Sequence, residues 1–425
     1  MLNRTIAYFS MEIGLESELP TYSGGLGVLS GDTIRAAADI ELPMVAVSLL
    51  HRKGYFYQKL TEKGTQIEAP VSWALDDYLT LEKCRVLITV EDRDVYIKAW
   101  RYNVIGVTGH IVPVYFLDAH LEENALEDRG LTDALYGGDD RYRLCQEALL
   151  GMGGVKMLRT LGYKNIQRFH MNEGHAALLC LELLLGRIQE TGQLTLDIIE
   201  AVREQGVFTT HTPVEAGHDS FPMKLAEKVL GTKKVEYLKA SGLTDPLNMT
   251  EIALRFSRYS NAVAMKHGEV SRHMFPKYEI QAITNGVHTG TWTAEPFKKL
   301  FDKHIPYWRL DPKLLRHAVV FPSKELWNAH TETKHELIRF INRTMNVGFD
   351  MDVFTIGFAR RATEYKRAYL LLSDLERLQS IAEKVGPLQI VYAGKAHPRD
   401  KQGKQIIEMI HEAQSKLNSS KVKIT

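Results

Sequence analysis

The chain has 425 residues, 44% hydrophobic and 25% charged, and its 53 basic and 52 acidic side chains leave a net charge of +1. That length exceeds one ordinary core and implies two domains. The composition excludes a disordered chain, and near neutrality excludes nucleic-acid or membrane binding driven by bulk charge, so any anion site must be local. No apolar run is long enough to span a bilayer. The start, MLNRTIAYFSMEIG, carries neither a signal-peptide core nor a small-residue cleavage site. Cys84, Cys145 and Cys180 fit no CxxC pattern and read as buried thiols of a reducing compartment, the cytoplasm.

The first notable stretch is YSGGLGVLSGD, Tyr22 to Asp32, with glycines at 24, 25, 27 and 31 running into a helical pattern over Thr33–Asp39. Glycine costs a helix ~1 kcal/mol against alanine, so the cluster needs a reason. Two stay open at this point: bare N–H groups approaching an anion, or a tight turn with left-handed dihedrals. Neither GxGxxG nor GxxxxGK[ST] spacing is present. Apolar runs then predict strands at Met44–Leu50, Val86–Val90 and Val112–Leu117, followed by a helix over Arg143–Leu161. A strand at Ile166–His170, helices over Ala176–Glu190 and Leu196–Gln205, and a strand at Gly206–Thr210 come next. A helix over Tyr259–Met274 and a strand at Ile280–Thr284 close a first α/β unit. Gly290–Asn346 reads as helical and bridging, with its main helix over Lys324–Asn346. A second unit opens with strand Val353–Phe358, helix Ala368–Lys384 and strand Ile390–Tyr392, and KVKIT reads as a strand cut off midway. So few strands after the bridge suggest an incomplete second sheet and a truncated chain.

Ligands in open α/β sheets bind beyond the carboxyl ends of strands, and five predicted strands here end in polar clusters. They lead into MNEGHAALL (Asn172, Glu173, His175), HTPVEAGHD (His211), NGVHTGTW (Asn285, His288), ARRATEYKR and AGKAHPRD. In the fourth, Arg360, Arg361, Lys366 and Arg367 stand where a helix is expected to begin. Cations there oppose the macrodipole at ~0.3–1 kcal/mol, a cost that a bound anion such as phosphate would outweigh. The alternative is a solvated basic face paired with Glu364 and Asp374.

Metal ligation is disfavoured, and no metal is assigned: His170 and His175 are five apart, whereas HExxH needs four to put both on one helical face. No serine lies in a G-x-S-x-G elbow. Tyr55, Phe56, Tyr57, Trp73 and Tyr78 crowd one region, where stacking on sugar rings competes with simple core packing.

Taken together and in order, YFSMEIGLESELPTYSGGLGVLSGD, RKGYFYQ, FHMNEGHAALL, TTHTPVEAGHD, ITNGVHTGTW, RRATEYKR and AGKAHPRD resemble the α-glucan (glycogen/starch/maltodextrin) phosphorylases, especially their short prokaryotic branch. The resemblance spans the whole chain. It implies an α/β, GT-B-type fold of two Rossmann-like domains facing a cleft, here with the second incomplete. The corresponding divisions are residues 1–290 (glycine loop and glucan site), 291–350 (helical bridge) and 351–425 (start of the second domain). It also implies phosphorolysis of terminal α-1,4-glucosyl units to α-glucose 1-phosphate with retention, in cytoplasmic glycogen or maltodextrin catabolism.

By the same resemblance, Gly24 and Gly25 lie near the phosphates of substrate and cofactor, Arg361 and Lys366 hold the substrate phosphate, and Tyr365 sits among sugar contacts. His211 contacts the glucose, with its backbone carbonyl toward the developing oxocarbenium charge. Asn285 binds sugar, and Glu173 and His175 line the pocket beside the anomeric carbon. A retaining transfer without a hydrolase-like carboxylate pair requires phosphate itself to protonate the leaving oxygen and then attack. The family's cofactor is pyridoxal phosphate on a lysine in an SGMK-like motif, which this sequence lacks, so covalent attachment is not expected of the chain as given. Expected partners are α-1,4-glucan and inorganic phosphate, with no nucleic acid and no membrane; the sequence is compatible with a homo-oligomer without specifying one. Two other readings remain: a degenerate, non-catalytic glucan-binding protein, and a nucleotide-sugar glycosyltransferase of the synthase type. The latter is disfavoured because synthases carry a different glycine loop and lack the NEGHAALL and RRATEYKR motifs.

Overall fold

The strand residues Met44–Leu49, MVAVSL, are buried without interruption, as expected of a parallel strand covered on both faces. They lie at the heart of a computed structural model that describes residues 3–417 and 421–425. The described residues form two compact units, one from residues 1–55 and 71–288 and the other from 56–70 and 289–425. Among the described residues no helix is long and apolar enough to cross a membrane.

The first unit is built on a nine-stranded sheet. Its strands in chain order are β1 (Ile6–Ser10), β2 (Met44–Leu49), β3 (Thr80–Val90), β4 (Arg93–Ile105), β5 (Ile111–Asp118), β6 (Arg168–Asn172), β7 (Gly206–Thr210), β8 (Tyr259–Ala262) and β9 (Gln281–Ala282). Across the sheet the order is β9-β8-β7-β6-β1-β2-β5-β4-β3. Every pairing from β9 to β5 is parallel, and β5-β4 and β4-β3 are antiparallel. The register sets Ser10 beside Asn172 and Asn172 beside Thr209, so the carboxyl ends of β1, β6 and β7 finish level. Polar residues that follow them in sequence therefore meet in space.

Three local outcomes differ from the sequence pattern. The helix α1 spans Gly25–Asp39, beginning eight residues before the predicted start. Its glycines are not left-handed: Gly24 is extended, with φ −165°, which removes the tight-turn reading. Two of them are packing residues. A Cβ on Gly31 would sit 1.8 Å from the Gly14 carbonyl oxygen, and one on Gly27 would sit 2.5 Å from Tyr22 Cβ. Gly25 has open space, with nothing within 4 Å of its Cβ position.

The predicted helix over 143–161 is a helical run interrupted by a π turn at Leu149–Gly153. There the glycines admit close neighbours: a Cβ on Gly151 would meet the Leu179 nitrogen at 2.4 Å. The predicted helix over 259–274 starts only at Met265. Tyr259–Ala262 is strand instead, because Ser260 and Asn261 pair with Phe208 and Thr209 and tertiary pairing outweighs local helical pattern.

The second unit holds a three-stranded parallel sheet of β10 (Phe354–Ala359), β11 (Leu388–Ala393) and β12 (Val422–Ile424), in that order. Leu378, Ala382, Ile390, Leu417, Val422 and Ile424 form its core. The stretch read as a bridge is helical, with helices at Glu295–His304 and Ser323–Met345. The hairpin Tyr57–Leu60/Gln66–Ala69 also belongs to this unit. Its Gln66 side chain bonds both ways to the Ala396 backbone, at 3.0 and 2.9 Å, and Glu68 pairs with Lys404 at 2.7 Å.

Candidate functional site

The helix predicted over 368–384 begins as an α-helix only at Leu375, capped by Asp374, whose side chain accepts the Arg377 N–H. Arg367 takes a left-handed φ of 51° and separates two short 3-10 turns, Glu364–Lys366 and Ala368–Leu372. The cations of RRATEYKR thus precede the helix rather than occupy its first turn, so the macrodipole argument for them does not apply. Arg361 is exposed, and neither it nor Lys366 has a carboxylate in ion-pair range among the described residues, so the basic face is not paired with Glu364 or Asp374. Lys366 lies 5.1 Å over the ring of Tyr365, which is itself 71% exposed.

In the first unit the strand ends gather a dense polar cluster. Asn172, the last residue of β6, is buried; its Nδ2 donates to Ser10 Oγ at 3.1 Å and to Ser30 Oγ at 2.8 Å. Its Oδ1 lies 2.7 Å from His211 Nε2. Glu173, next in sequence, has φ +72°, a strained setting for a non-glycine residue that tends to accompany functional positions. Both its carboxylate oxygens are occupied. Oε1 accepts the Gly174 N–H at 3.0 Å, and Oε2 accepts the His211 N–H at 2.8 Å and the Thr212 hydroxyl at 3.0 Å. Burial alone would raise the Glu173 pKa, but His211, His175 and these backbone donors hold it below the usual carboxylate range. Burial pulls His211 down to about 4, so its ring is neutral at pH 7.

His175 faces another carboxylate, Asp219, at 3.4 Å. Asp219 also holds Arg143 at 2.5 Å. Although burial acts to raise it, the charges of His175 and Arg143 lower Asp219 to about 2. Glu147 beneath Arg143 is fully buried; burial first, then the Asp219 charge, pushes its pKa well above normal. Arg143 also stacks 5.0 Å over the Tyr136 ring, and the Tyr136 hydroxyl donates to Glu12 Oε1 at 2.7 Å. The other oxygen of Glu12 accepts Ser23 N–H at 2.6 Å and Gly24 N–H at 3.2 Å. A cavity of about 570 Å³ opens beside Arg143, His218 and Asp219, large enough for a small organic ligand.

Of the residues singled out from sequence in this unit, Glu173, His175 and His211 come together, and Gly24 and Gly25 stand at the start of α1. Asn285 is exposed, and its N–H bonds to the Val263 carbonyl at 3.0 Å. Glu12, Tyr136, Arg143, Glu147 and Asp219 were not picked out. The helix Asp140–Ala148 offered one signal, since Gln146 and Glu147 are polar at positions buried with Leu144 and Cys145.

A profile of the carbohydrate phosphorylase family matches residues 233–423. The chain is 38% identical to a maltodextrin phosphorylase of Thermococcus litoralis, over 96% of the chain and 53% of that protein. It is 34% identical to a glycogen phosphorylase of Aquifex aeolicus, over 96% of the chain and 64% of that protein. It is 33% identical to an uncharacterized protein of Methanocaldococcus jannaschii, over 93% of the chain and 70% of that protein. The chain spans about half the length of the first of these relatives.

Proposed function

Because the chain belongs to the carbohydrate phosphorylase family, we propose that it takes part in phosphorolysis of α-1,4-glucan, passing a terminal glucosyl unit to inorganic phosphate as α-glucose 1-phosphate with retention. The observation that carries this reading is that the carboxylates around the strand ends are either engaged by protein donors or enclosed in the interior. Glu173 has both oxygens bound to N–H and O–H donors, Glu12 is bound by Ser23, Gly24 and Tyr136, Asp219 is held by Arg143, and Glu147 is fully enclosed, its pKa pushed well above normal by burial. A glycosidase needs one free carboxylate nucleophile or base and a partner acid. None of these four is free to attack an anomeric carbon, so a nucleophile brought by the co-substrate suits the site better.

In this reading His211 contacts the glucosyl unit, its backbone carbonyl toward the developing positive charge, and Glu173, His175, Asn285 and Tyr365 bind sugar. Arg361 and Lys366 hold the substrate phosphate by charge-assisted hydrogen bonds. The first-turn amides of α1 are further anion donors. Of these, Gly24 N–H is already given to Glu12, whereas Gly25 is unhindered and fits a phosphate-sized group. The phosphate of the family's cofactor, pyridoxal phosphate, would be such a group, and when bound it would supply a phosphate for proton transfer.

The test is to supply the chain with maltoheptaose, inorganic phosphate and pyridoxal phosphate, and follow products by ³¹P and ¹H NMR. Release of α-configured glucose 1-phosphate is the expected result. Free glucose as the product would overturn the reading in favour of hydrolysis, and saturable glucan binding without turnover would favour the non-catalytic glucan-binding alternative.

A further inference from the structure

The hydrogen-bond donors around Asn172 determine which way its amide points, and with it the protonation of a neighbouring ring. Ser10 Oγ donates to the Glu12 carbonyl at 2.7 Å, and Ser30 Oγ donates to the Leu26 carbonyl at 2.8 Å. The two hydroxyls also lie 2.9 Å from each other, and each has only one proton, already claimed among the Glu12 carbonyl, the Leu26 carbonyl and this mutual contact. What the two oxygens offer Asn172 is therefore lone pairs, and only its NH₂ group can meet them, at 3.1 and 2.8 Å. The reversed amide would need both hydroxyl protons and would strip the two carbonyls of these bonds, in a buried setting where lost partners are costly. With the NH₂ so placed, Oδ1 faces His211 Nε2 at 2.7 Å, and an acceptor at that distance requires a proton on Nε2.

We propose that Asn172 is a positioning residue that locks His211 as the Nε2–H tautomer, leaving Nδ1 a bare acceptor for a sugar hydroxyl, and that Ser30 ties this lock to α1. The sugar hydroxyl rests on the glucan reading above; the tautomer does not. The ring cannot pivot, because its own backbone N–H is held by Glu173 at 2.8 Å while its far nitrogen is held by Asn172. Burial keeps the ring uncharged against the nearby Glu173 carboxylate, with His175 and His267 acting in the same direction as burial. Ser30 lies on α1, five residues after Gly25, so a displacement of the glycine-rich helix start on anion binding reaches the ring through a single amide. Three strand ends and one helix thereby orient one imidazole.

The experiment is ¹⁵N-histidine NMR on the whole chain, with the His211 resonances identified by their loss in His211→Gln, alongside calorimetric titration with maltoheptaose. At pH 7 the expected wild-type ring has a protonated Nε2 and an unprotonated Nδ1. Asn172→Ala should release a tautomer mixture and weaken maltoheptaose binding roughly tenfold, the scale of one lost oriented hydrogen bond. Asn172→Asp should draw a proton onto the ring and give imidazolium signals. Ser30→Ala, a milder change that tests the same lock if Asn172→Ala fails to fold, should broaden the tautomer distribution. A wild-type ring protonated on Nδ1, or Asn172 and Ser30 variants that keep the wild-type tautomer, would overturn the proposal. A wild-type chain that shows the Nε2–H tautomer, loses it in Asn172→Ala and binds no maltoheptaose would overturn the glucan reading while upholding the positioning role.

Discussion

The Glu12 carboxylate accepts the Gly24 N–H at 3.2 Å, so the helix start that the sequence offers to an anion already holds one of the protein's own. A phosphate arriving at α1 meets this buried carboxylate at close range. Burial raises the Glu12 pKa, and its bonds to Ser23, Tyr136 and Gly24 only partly oppose the shift. Glu12→Gln keeps an acceptor for Gly24 and removes the like charge. It should tighten inorganic phosphate binding about fivefold, roughly 1 kcal/mol for a screened charge a few ångströms away. Titration calorimetry on wild type and variant decides it; unchanged or weaker affinity would mean that phosphate does not approach this helix start.

Three histidines whose charged form the protein interior disfavours make the fold acid-sensitive. His51, His170 and His211 are each pulled by burial to about 4, while the unfolded chain titrates near the ordinary value of ~6.5. Above that value neither state binds the proton and nothing is gained or lost. As pH falls from ~6.5 toward 4, the unfolded state takes up protons that the native state refuses, and stability drops by about 1.4 kcal/mol per pH unit for each histidine. Glu12 and Glu147, raised by burial, act in the opposite direction because acidification relieves their buried charge. Comparing wild type with His170→Gln cancels those terms. Urea unfolding at pH 4.5 to 6.5 should show the variant's stability falling less steeply, by about one proton's worth. Equal slopes would mean that His170 does not resist protonation in the folded chain.

The unevenness in what the sequence revealed follows from how far apart the interacting parts lie. Glu173 and His211 were legible because parallel strands deliver their next residues to one edge, and NEGH and HTPV follow recognisable apolar runs. The start of α1 was misplaced because its glycines argue against helix locally, and only Gly14 and Tyr22, in the loop before it, show why Gly31 and Gly27 must lack side chains. The Glu12–Tyr136–Arg143–Asp219 chain had no local pattern at all: its members come from four separate segments. Residues 56–70 looked like part of the first unit, since their partners, such as Ala396, stand 330 positions away.

Arg361 differs from the buried cations in having no stabilising partner to lose. It is exposed, with no carboxylate in ion-pair range among the described residues, unlike Arg143, which Asp219 holds at 2.5 Å. Arg361→Ala should therefore leave stability within about 0.5 kcal/mol of wild type. If Arg361 holds the substrate phosphate, the same change should lower phosphorolysis by ~10²–10³, whereas Glu364→Ala should not. Thermal melts and initial rates with maltoheptaose and phosphate separate the two. Equal losses in both variants would remove Arg361 from the phosphate site.

Gly25, Gly27 and Gly31 of α1 divide into two kinds, and alanine substitution can tell them apart. At Gly31 a Cβ would lie 1.8 Å from the Gly14 oxygen, and at Gly27 2.5 Å from Tyr22 Cβ, so alanine forces backbone apart in a packed region. Each of these changes should cost about 2 kcal/mol or more, in the range of overpacked cores. Gly25 has nothing within 4 Å of its Cβ position and lies at the first helical residue. There alanine relieves glycine's unfolded-state entropy, and Gly25→Ala should stabilise the chain by about 0.5 kcal/mol. A stabilising substitution at Gly25 needs a reason to be avoided, and close approach of an anion is that reason: the same variant should bind inorganic phosphate more weakly than wild type. Urea unfolding and phosphate titration on the three variants give the answer. A Gly25→Ala chain that is more stable and binds phosphate unchanged would show that the glycine serves neither packing nor ligand.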